Sequence, residues 1–284
     1  MIVLKNDQLQ VKIAEHGAEF QSISDGKREY LWQADPASWH RKAPVLFPFV
    51  GRLKDNHYTF AGQQFEQKQH GFARDMEFKV LKASQTKVTL QLKDSLATRK
   101  HYPFAFVLEV TYSLQGKRLV VDYQVKNPSA EQTLLYSLGA HPGFKIVDLQ
   151  KTSLIISPAK NYGRIKLDGP FSDLVHWENQ DFTRPIKLNR DLFKNDAIIL
   201  ATERQGVTVT LKETDNHGVQ LIQPDAPFVA IWSSYPAQGD FVCLESWWGI
   251  ADSLTSTGNL ENKAEIMRLA PGHDRHHRYE VEVF

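Results

Sequence analysis

Apolar and polar residues alternate along much of this 284-residue chain, and a period of two is the pattern of a half-buried β-strand. The segment KVTLQLK (87–93) alternates without a break. The pattern continues in GVTVTLKET (206–214), FVAIWSS (228–234), FVCLESWW (241–248) and RYEVEVF (278–284). Many short strands separated by turn residues predict an all-β chain, folded as a large antiparallel β-sandwich or barrel.

Turn residues refine this prediction. VTYSLQGKRLVVDYQVKN (110–127) contains two alternating strands joined at Gln115-Gly116, which predicts a β-hairpin. The chain has no βαβ rhythm, glycine-rich phosphate loop, heptad pattern, internal repeat or long linker. We therefore expect residues 1–284 to form one domain.

Only two short segments favour a helix. DPASWHRKA (35–43) has Asp35 as a possible N-cap, and DSLATRKHY (94–102) precedes Pro103.

Charge and cysteine content exclude several classes of function. The chain has 34 Lys and Arg against 33 Asp and Glu, so no basic excess favours nucleic acid or a membrane surface. Its one cysteine, Cys243, rules out an intrachain disulfide and fits a buried packing thiol in a reducing compartment. The N-terminal residues do not resemble a signal peptide, and no apolar run approaches about 18 residues. A cytoplasmic location is the resulting expectation.

The C-terminal histidines give a poor metal site. His276 and His277 are adjacent and would point to opposite sides of a strand, so with His273 they are predicted to be solvated. Neither a CxxC pair nor HExxH occurs, which argues against a dedicated metal centre.

Two other histidines have similar surroundings. His70 precedes Gly71-Phe72, and His141 precedes Pro142-Gly143-Phe144. A small or rigid residue after each histidine, with an aromatic residue nearby, suits a concave ligand site. It would equally suit a capped strand end.

Glu245 lies in an apolar and aromatic run, FVCLESWWG. It could face solvent on an alternating strand, or it could be buried, which would raise its pKa unless hydrogen bonds compensate. Aromatic faces beside a carboxylate are typical of sugar sites.

Two arginines are candidates for binding oxygen pairs or a phosphate. Arg52 follows the rigid segment APVLFPFVG, whereas Arg74, in HGFARD, could instead pair with Asp75.

Taken together, these motifs resemble the aldose 1-epimerase (galactose mutarotase-like) family, and within it the LacX-type branch for hexoses or hexose phosphates. The motifs occur in the family's order from residue 47 to residue 245, and they are FPFVGRL, HGFAR, YPFAFVLEVTY, HPGF, LFKNDAI and LES, preceded by GAEFQSI.

The resemblance implies a galactose mutarotase-like β-sandwich with a concave face for a monosaccharide. It also implies cofactor-independent interconversion of α and β anomers, with Glu245 as general base and His141 as general acid. His70 would be the second sugar-binding histidine, and Arg52 and Asp196 would contact hydroxyl groups. Gly143-Phe144 after the His-Pro pair, and GRLKDN in place of the usual asparagine-arginine pair, depart from the galactose-specific pattern.

Two alternatives remain open at this point. A glycoside hydrolase or lyase on a similar sandwich would normally need a second carboxylate, from Asp196 or from Asp225, which is also interpreted as a turn residue. A non-catalytic sugar-binding or sensing protein would keep the cleft without using the acid–base pair. Whether the sugar is phosphorylated is also open, and the candidates for a phosphate site are Arg41, Arg52, Lys54 and Arg74.

Overall fold

The alternating segments form strands in the computed structural model, which describes residues 1–284. In chain order the strands are β1 (Ile2–Lys5), β2 (Gln10–Ile13), β3 (Phe20–Ser24), β4 (Val45–Leu46), β5 (His57–Phe60), β6 (Gln63–Glu66), β7 (Lys79–Ala83), β8 (Lys87–Lys93), β9 (Val107–Gln115), β10 (Arg118–Lys126), β11 (Leu134–Tyr136), β12 (Leu138–Ala140), β13 (Gly143–Lys145), β14 (Ser153–Ser157), β15 (Asn161–Ile165), β16 (Leu167–Asp168), β17 (Phe171–Ser172), β18 (Glu178–Asp181), β19 (Ile186–Lys187), β20 (Ile198–Ala201), β21 (Val207–Thr214), β22 (His217–Gln223), β23 (Phe228–Trp232), β24 (Phe241–Trp248), β25 (Met267–Leu269) and β26 (Asp274–Val283).

Two large sheets contain most of these strands. One has nine strands in the order β19-β14-β21-β22-β26-β10-β9-β8-β7, and the other has eight, in the order β18-β15-β20-β23-β24-β12-β4 with β13 added beside β24. Every strand pair in both sheets is antiparallel. The prediction of an all-β antiparallel sandwich is confirmed.

The main core lies between the two sheets. Val110 and Val121 from the nine-stranded sheet, and Ile231 and Leu244 from the eight-stranded sheet, belong to one cluster of 65 buried residues. A second cluster of 10 buried residues includes Ile199 and other residues from the opposite face of the eight-stranded sheet. Strands from β1 to β26 contribute to the main core, which supports the expectation of one domain for residues 1–284.

The predicted hairpin is present. Strands β9 and β10 pair from Gln115–Arg118 to Val107–Lys126, and Gly116 and Lys117 form the two-residue turn. Gly116 has φ +61°, a conformation that glycine adopts without steric cost.

Of the two predicted helices, one is present in shortened form and the other is absent. Helix α1 (Leu96–Arg99) is shorter than the predicted segment 94–102, and Ser95 caps it in a capping box with Thr98. The prediction for 35–43 is wrong, since the Asp35 side chain and carbonyl accept hydrogen bonds that close only a turn at 36–38.

Single turns of 3-10 helix occupy Lys54–Asn56, Ala73–Asp75, Arg190–Phe193 and Leu260–Asn262. No helix of the protein is both long enough and apolar enough to span a bilayer.

The C-terminal histidines lie on β26, where alternate residues face opposite sides. His276 is exposed, as predicted. His277 is only 3% exposed, so the prediction that it is solvated is wrong. Its Nε2 lies 2.9 Å from the Tyr136 hydroxyl, and its ring lies 5.0 Å from that of Trp248. The inward face of β26 therefore buries this imidazole in the core.

Candidate active site

A pocket of about 590 Å³ opens on the face of the eight-stranded sheet that points away from the main core. Small-molecule sites commonly have volumes of about 300–1,000 Å³. Trp39, Trp232 and Trp247 form aromatic walls. The titratable side chains that line the pocket are His40, Arg41, His70, Arg74, His141, Lys194, Asp196, Tyr235 and Glu245.

Strand β24 directs Glu245 into this pocket because alternate residues face opposite sides of a sheet. Leu244 and Trp248 pack in the main core, whereas Glu245 and Trp247 line the pocket. Glu245 is 1% exposed, and its Oε2 accepts a hydrogen bond of 2.9 Å from Trp247 Nε1. Burial raises the pKa of the Glu245 carboxyl well above its ordinary value, and the nearby Asp196 charge adds to the rise. The carboxylate is therefore a stronger base than an exposed one.

His141 lies beside Glu245 because β12 and β13, which flank it, both pair with β24. Its Nε2 is 3.3 Å from Glu245 Oε2. The imidazole stacks on Trp39, with ring centroids 5.0 Å apart, and meets Trp232 edge-on at 5.7 Å. These contacts fix the orientation of the imidazole against the carboxylate.

Burial shifts the pKa values of Glu245 and His141 in opposite directions. Burial lowers the pKa of His141 to about 3 while it raises the pKa of Glu245. These shifts favour a neutral imidazole beside a protonated carboxyl, so the pair holds one titratable proton. Whichever side chain carries that proton, one member is an acid and the other a base. This is the arrangement that reversible proton transfer needs.

Two hydrogen bonds with Gly51 and a left-handed backbone conformation fix the position of His70. Its φ is +66°, which is a strained conformation for a residue with a Cβ. The Gly51 N–H donates to His70 Nδ1 at 3.1 Å, and the His70 N–H donates to the Gly51 carbonyl at 2.8 Å. In the neutral ring the proton therefore sits on Nε2. Burial lowers the pKa of His70 well below its usual range, and its ring stands perpendicular to that of His141 at 5.6 Å.

Asp196 lies on the rim of the pocket, where its residue stays exposed. The surrounding walls nevertheless raise the pKa of its carboxyl by desolvation. Its φ is +69°, and Lys194 precedes it on the same rim. Asp196 thus places a second carboxyl at the rim of the pocket, and its contact with sugar hydroxyl groups stays a prediction.

Two of the four candidate phosphate ligands line the pocket, namely Arg41 and Arg74. Arg74 donates from Nη2 to the Gln69 carbonyl at 2.6 Å, and burial lowers its pKa to about 10. Arg52 lies in a neighbouring cleft and donates to Gln69 Oε1 at 3.1 Å, so it contacts a pocket-lining side chain without lining the pocket. Lys54 does not line the pocket either.

Arg74 does pair with Asp75, as the sequence allowed, although the contact is long. Arg74 Nε is 4.0 Å from Asp75 Oδ2, whereas Arg41 Nη2 donates to Asp75 Oδ1 at 2.8 Å. Asp75 therefore pairs mainly with Arg41.

The sequence of this chain is similar to those of known proteins. Residues 1–282 match the sequence profile described as aldose 1-epimerase. The chain belongs to the aldose 1-epimerase family. Protein LacX from a plasmid of Lactococcus lactis subsp. lactis is 29% identical over 296 residues, which cover 99% of both chains. The resemblance to the LacX-type branch is confirmed.

Two solved structures have the same fold as this chain. A galactose mutarotase related enzyme from Lactobacillus acidophilus has a TM-score of 0.97 and 36% identity, covering 100% of this chain and 97% of that one. A galactose mutarotase-like protein from Lactobacillus casei has a TM-score of 0.91 and 28% identity, covering 100% of both chains. Membership of the aldose 1-epimerase family places this chain among sugar epimerases and mutarotases.

Sequence reasoning missed part of this epimerase-family pocket. Trp39 lay in the segment wrongly predicted to be helical, and Gln69 carried no motif signal of its own. Trp232 was detectable in principle, because it belongs to an alternating strand and pairs with Cys243, two residues before Glu245.

The epimerase-family pocket also brings together three kinds of metal ligand. An imidazole nitrogen of His141, the Sγ of Cys243 and a carboxylate oxygen of Glu245 all lie within 4.8 Å of one another. Searches for CxxC or HExxH spacing do not detect this set, because it comes from β24 and from the loop between β12 and β13.

Proposed function

We propose that the protein interconverts the α and β anomers of a hexose or hexose phosphate by acid–base ring opening, without a cofactor. Glu245 acts as the base and His141 as the acid. The observation that supports this most is the 3.3 Å separation of His141 Nε2 and Glu245 Oε2 inside an aromatic-walled pocket. A pyranose carries the two oxygens that such a pair must serve, namely the C1 hydroxyl and the ring oxygen.

Ring opening requires two proton transfers. The proton held by the pair first passes from Glu245 to His141 across the 3.3 Å between Oε2 and Nε2. Glu245 then removes the proton from the C1 hydroxyl while His141 delivers one to the ring oxygen, and the bond between C1 and that oxygen breaks. Rotation about C1–C2 exposes the other face of the aldehyde. Closure reverses both transfers and restores the proton to His141. The single titratable proton of the pair thus alternates between its two members.

His70 and Asp196 orient the sugar in this proposal. His70 Nε2–H donates to a sugar oxygen, since Nδ1 already accepts from Gly51. The Asp196 carboxylate accepts from hydroxyl groups at the rim. Trp39 and Trp232 offer apolar faces for the C–H side of the ring and hold His141 in place.

The test is polarimetry of freshly dissolved α-glucose and α-galactose with the purified protein. Glu245→Gln and His141→Asn should each reduce kcat by about 10²–10⁴-fold, the usual contribution of a general acid or base. Both variants should keep the wild-type unfolding transition. Exposed Glu261→Gln is the matched control and should leave the rate unchanged. Rates close to wild type in both site variants would refute the assigned roles.

Arg41 and Arg74 favour phosphate recognition as a second property of this pocket. Hydrogen bonds to a charged group contribute about 1.5–3 kcal/mol, which corresponds to roughly 10–100-fold in kcat/KM. Arg41→Gln should therefore reduce kcat/KM for a hexose 6-phosphate by that factor while sparing the free hexose. Exposed Arg99→Gln serves as the control. Equal losses on both sugars would argue against a phosphate contact.

Glycoside hydrolysis is the alternative that Asp196 keeps open, because it places a second carboxyl beside Glu245. Asp225, the other candidate, is exposed and accepts from Trp248 Nε1 on the core side of β24. Incubation with an aryl glycoside distinguishes the two reactions, because a hydrolase releases the phenol and a mutarotase does not. Sugar binding without mutarotation would instead support the non-catalytic sugar-binding alternative.

A further inference from the structure

Cys243 lies directly behind the proposed acid–base pair. It is two residues before Glu245 on β24, so both side chains project from the same face of the strand. Gly143, two residues after His141, pairs with Cys243 in the sheet. One donor atom from each of His141, Cys243 and Glu245 consequently lies within 4.8 Å of the other two, and all three residues are almost completely shielded from solvent.

The separation of His141 and Glu245 suits two ligands of one tetrahedral ion, and Cys243 Sγ lies within 4.8 Å of both. Zinc binds nitrogen and oxygen at about 2.0–2.2 Å and sulfur at about 2.3 Å, so neighbouring ligands lie about 3.3–3.8 Å apart. The 3.3 Å between His141 Nε2 and Glu245 Oε2 already falls in that range. Three protein ligands would leave a fourth position, where water can bind.

Charge favours a divalent cation at this place. Glu245 is 1% exposed, its Oε1 has no hydrogen-bond partner, and no lysine or arginine forms an ion pair with it. A zinc ion with the Glu245 carboxylate, the Cys243 thiolate and the neutral His141 ring makes a site with zero net charge. The Cys243 thiol and the Glu245 carboxyl each lose their proton to solvent as the Zn–S and Zn–O bonds form.

The ligands are held in place by a second layer of contacts. Trp247 Nε1 donates to Glu245 Oε2 at 2.9 Å, and Trp39 stacks on the His141 ring. Such outer contacts commonly contribute about 10–100-fold to metal affinity by fixing ligand orientation.

We propose that this pocket binds Zn²⁺ through His141, Cys243 and Glu245, and that the bound ion excludes productive sugar binding. The inhibition rests on the proposed function, because the ion occupies the same two side chains that would move the protons. The binding of the metal does not rest on it. Zinc should therefore inhibit mutarotation competitively with the hexose, and a chelator should restore the rate.

The experiment uses Co²⁺ as a spectroscopic probe and Zn²⁺ as the inhibitor, on the full chain. Wild-type protein titrated with Co²⁺ should develop a thiolate-to-cobalt charge-transfer band, which Zn²⁺ then removes. Cys243→Ala should lack the band, keep the wild-type mutarotation rate within about 2-fold, and need at least about 10-fold more Zn²⁺ for half inhibition. Cys243→Ser provides a second variant if the alanine disturbs folding.

Exposed histidines could also collect zinc, and His276 is the matched control because it lies 2.7 Å from Asp122 Oδ1 and 3.7 Å from Asp274 Oδ2. His276→Gln should leave both the cobalt band and the zinc inhibition unchanged. The metal site is overturned if wild type shows no cobalt band, or if Cys243→Ala is as sensitive to zinc as wild type. Cobalt binding through Cys243 without any mutarotation would overturn the proposed function alone.

Discussion

Burial determines what Glu245 and His141 can do as individual residues. Both side chains favour their neutral forms more strongly than they would in water, since a low-dielectric environment disfavours the charged form of each. Burial alone would leave two inert neutral groups. Because His141 Nε2 and Glu245 Oε2 are only 3.3 Å apart, the one proton of the pair can pass from the carboxyl to the imidazole, which gives the base and the acid that the proposed roles require.

The pH dependence of the rate tests this sharing. Activity should fall when both members are protonated, because the base is lost, and again when both are deprotonated, because the acid is lost. Burial lowers the pKa of His141 to about 3 and raises that of Glu245. We expect kcat/KM to stay level from pH 7 down to about pH 5, after subtraction of the buffer-catalysed rate at each pH. A decline that starts near pH 6.5, the ordinary histidine value, would contradict the lowered pKa.

Four strands of the eight-stranded sheet assemble the site. Strand β24 pairs with β12 and β13 on one side and with β23 on the other, and the pocket face of this group holds the reactive side chains. Of the glycines in these strands, Gly143 leaves the least room for a Cβ. A Cβ there would lie 2.8 Å from Trp39 Cζ3 and 3.4 Å from Cys243 Sγ. The glycine thus lets the tryptophan approach closely enough to stack on His141.

Gly143→Ala should displace Trp39 and misalign His141. We expect kcat to fall by about 10-fold or more, since small misplacements near reacting groups are costly, and unfolding free energy to fall by about 1–3 kcal/mol. Polarimetry and urea unfolding measure the two effects.

Gly206→Ala is the control for this change, because the nearest atom to its Cβ is 3.5 Å away, an ordinary contact. It should leave kcat unaltered. If Gly143→Ala retained wild-type kcat, the role given to the Trp39 contact would be wrong.

At the scale of the whole molecule, buried imidazoles join the two sheets and make stability depend on pH. His277 extends from β26 of the nine-stranded sheet to contact Trp248 of the eight-stranded sheet. Burial lowers its pKa to about 3, and nearby Arg275, His276 and Arg204 act in the same direction. The folded state then binds fewer protons than the unfolded state between pH 3 and 6.5, so stability rises with pH across this window.

Acidification should therefore destabilise the protein partly through His277. From pH 7.5 to pH 5.5, this residue alone should remove about 1.4 kcal/mol of unfolding free energy. His277→Gln should lack that part of the loss, as measured by urea unfolding at both pH values. His276→Gln, on the exposed neighbour, should behave as wild type. Glu245 acts in the opposite sense because its pKa is raised, but it is common to all three proteins and cancels in the comparison. Identical pH slopes for the His277 variant and wild type would contradict the prediction.

The fold class can be predicted from local patterns, because alternation is a local property that each strand carries separately. The segments 87–93, 206–214 and 241–248 are all strands in the structure, and the turn after Gln115 follows from Gly116. The order of the motifs also predicted the family. In each case neighbouring residues, or a fixed order along the chain, contain the information.

Which residues meet in the site depends on how the whole chain folds. Whether Glu245 faces solvent or the pocket depends on the register of β24, and a slip of one residue would turn it into the core. Arg52 follows a motif suited to a site, yet its side chain extends into the neighbouring cleft. Trp39 lies in a segment whose local preferences favour a helix, but packing against His141 and Phe241 gives it a position in the wall. Contacts between distant residues arise from sheet register and burial, which no local pattern specifies.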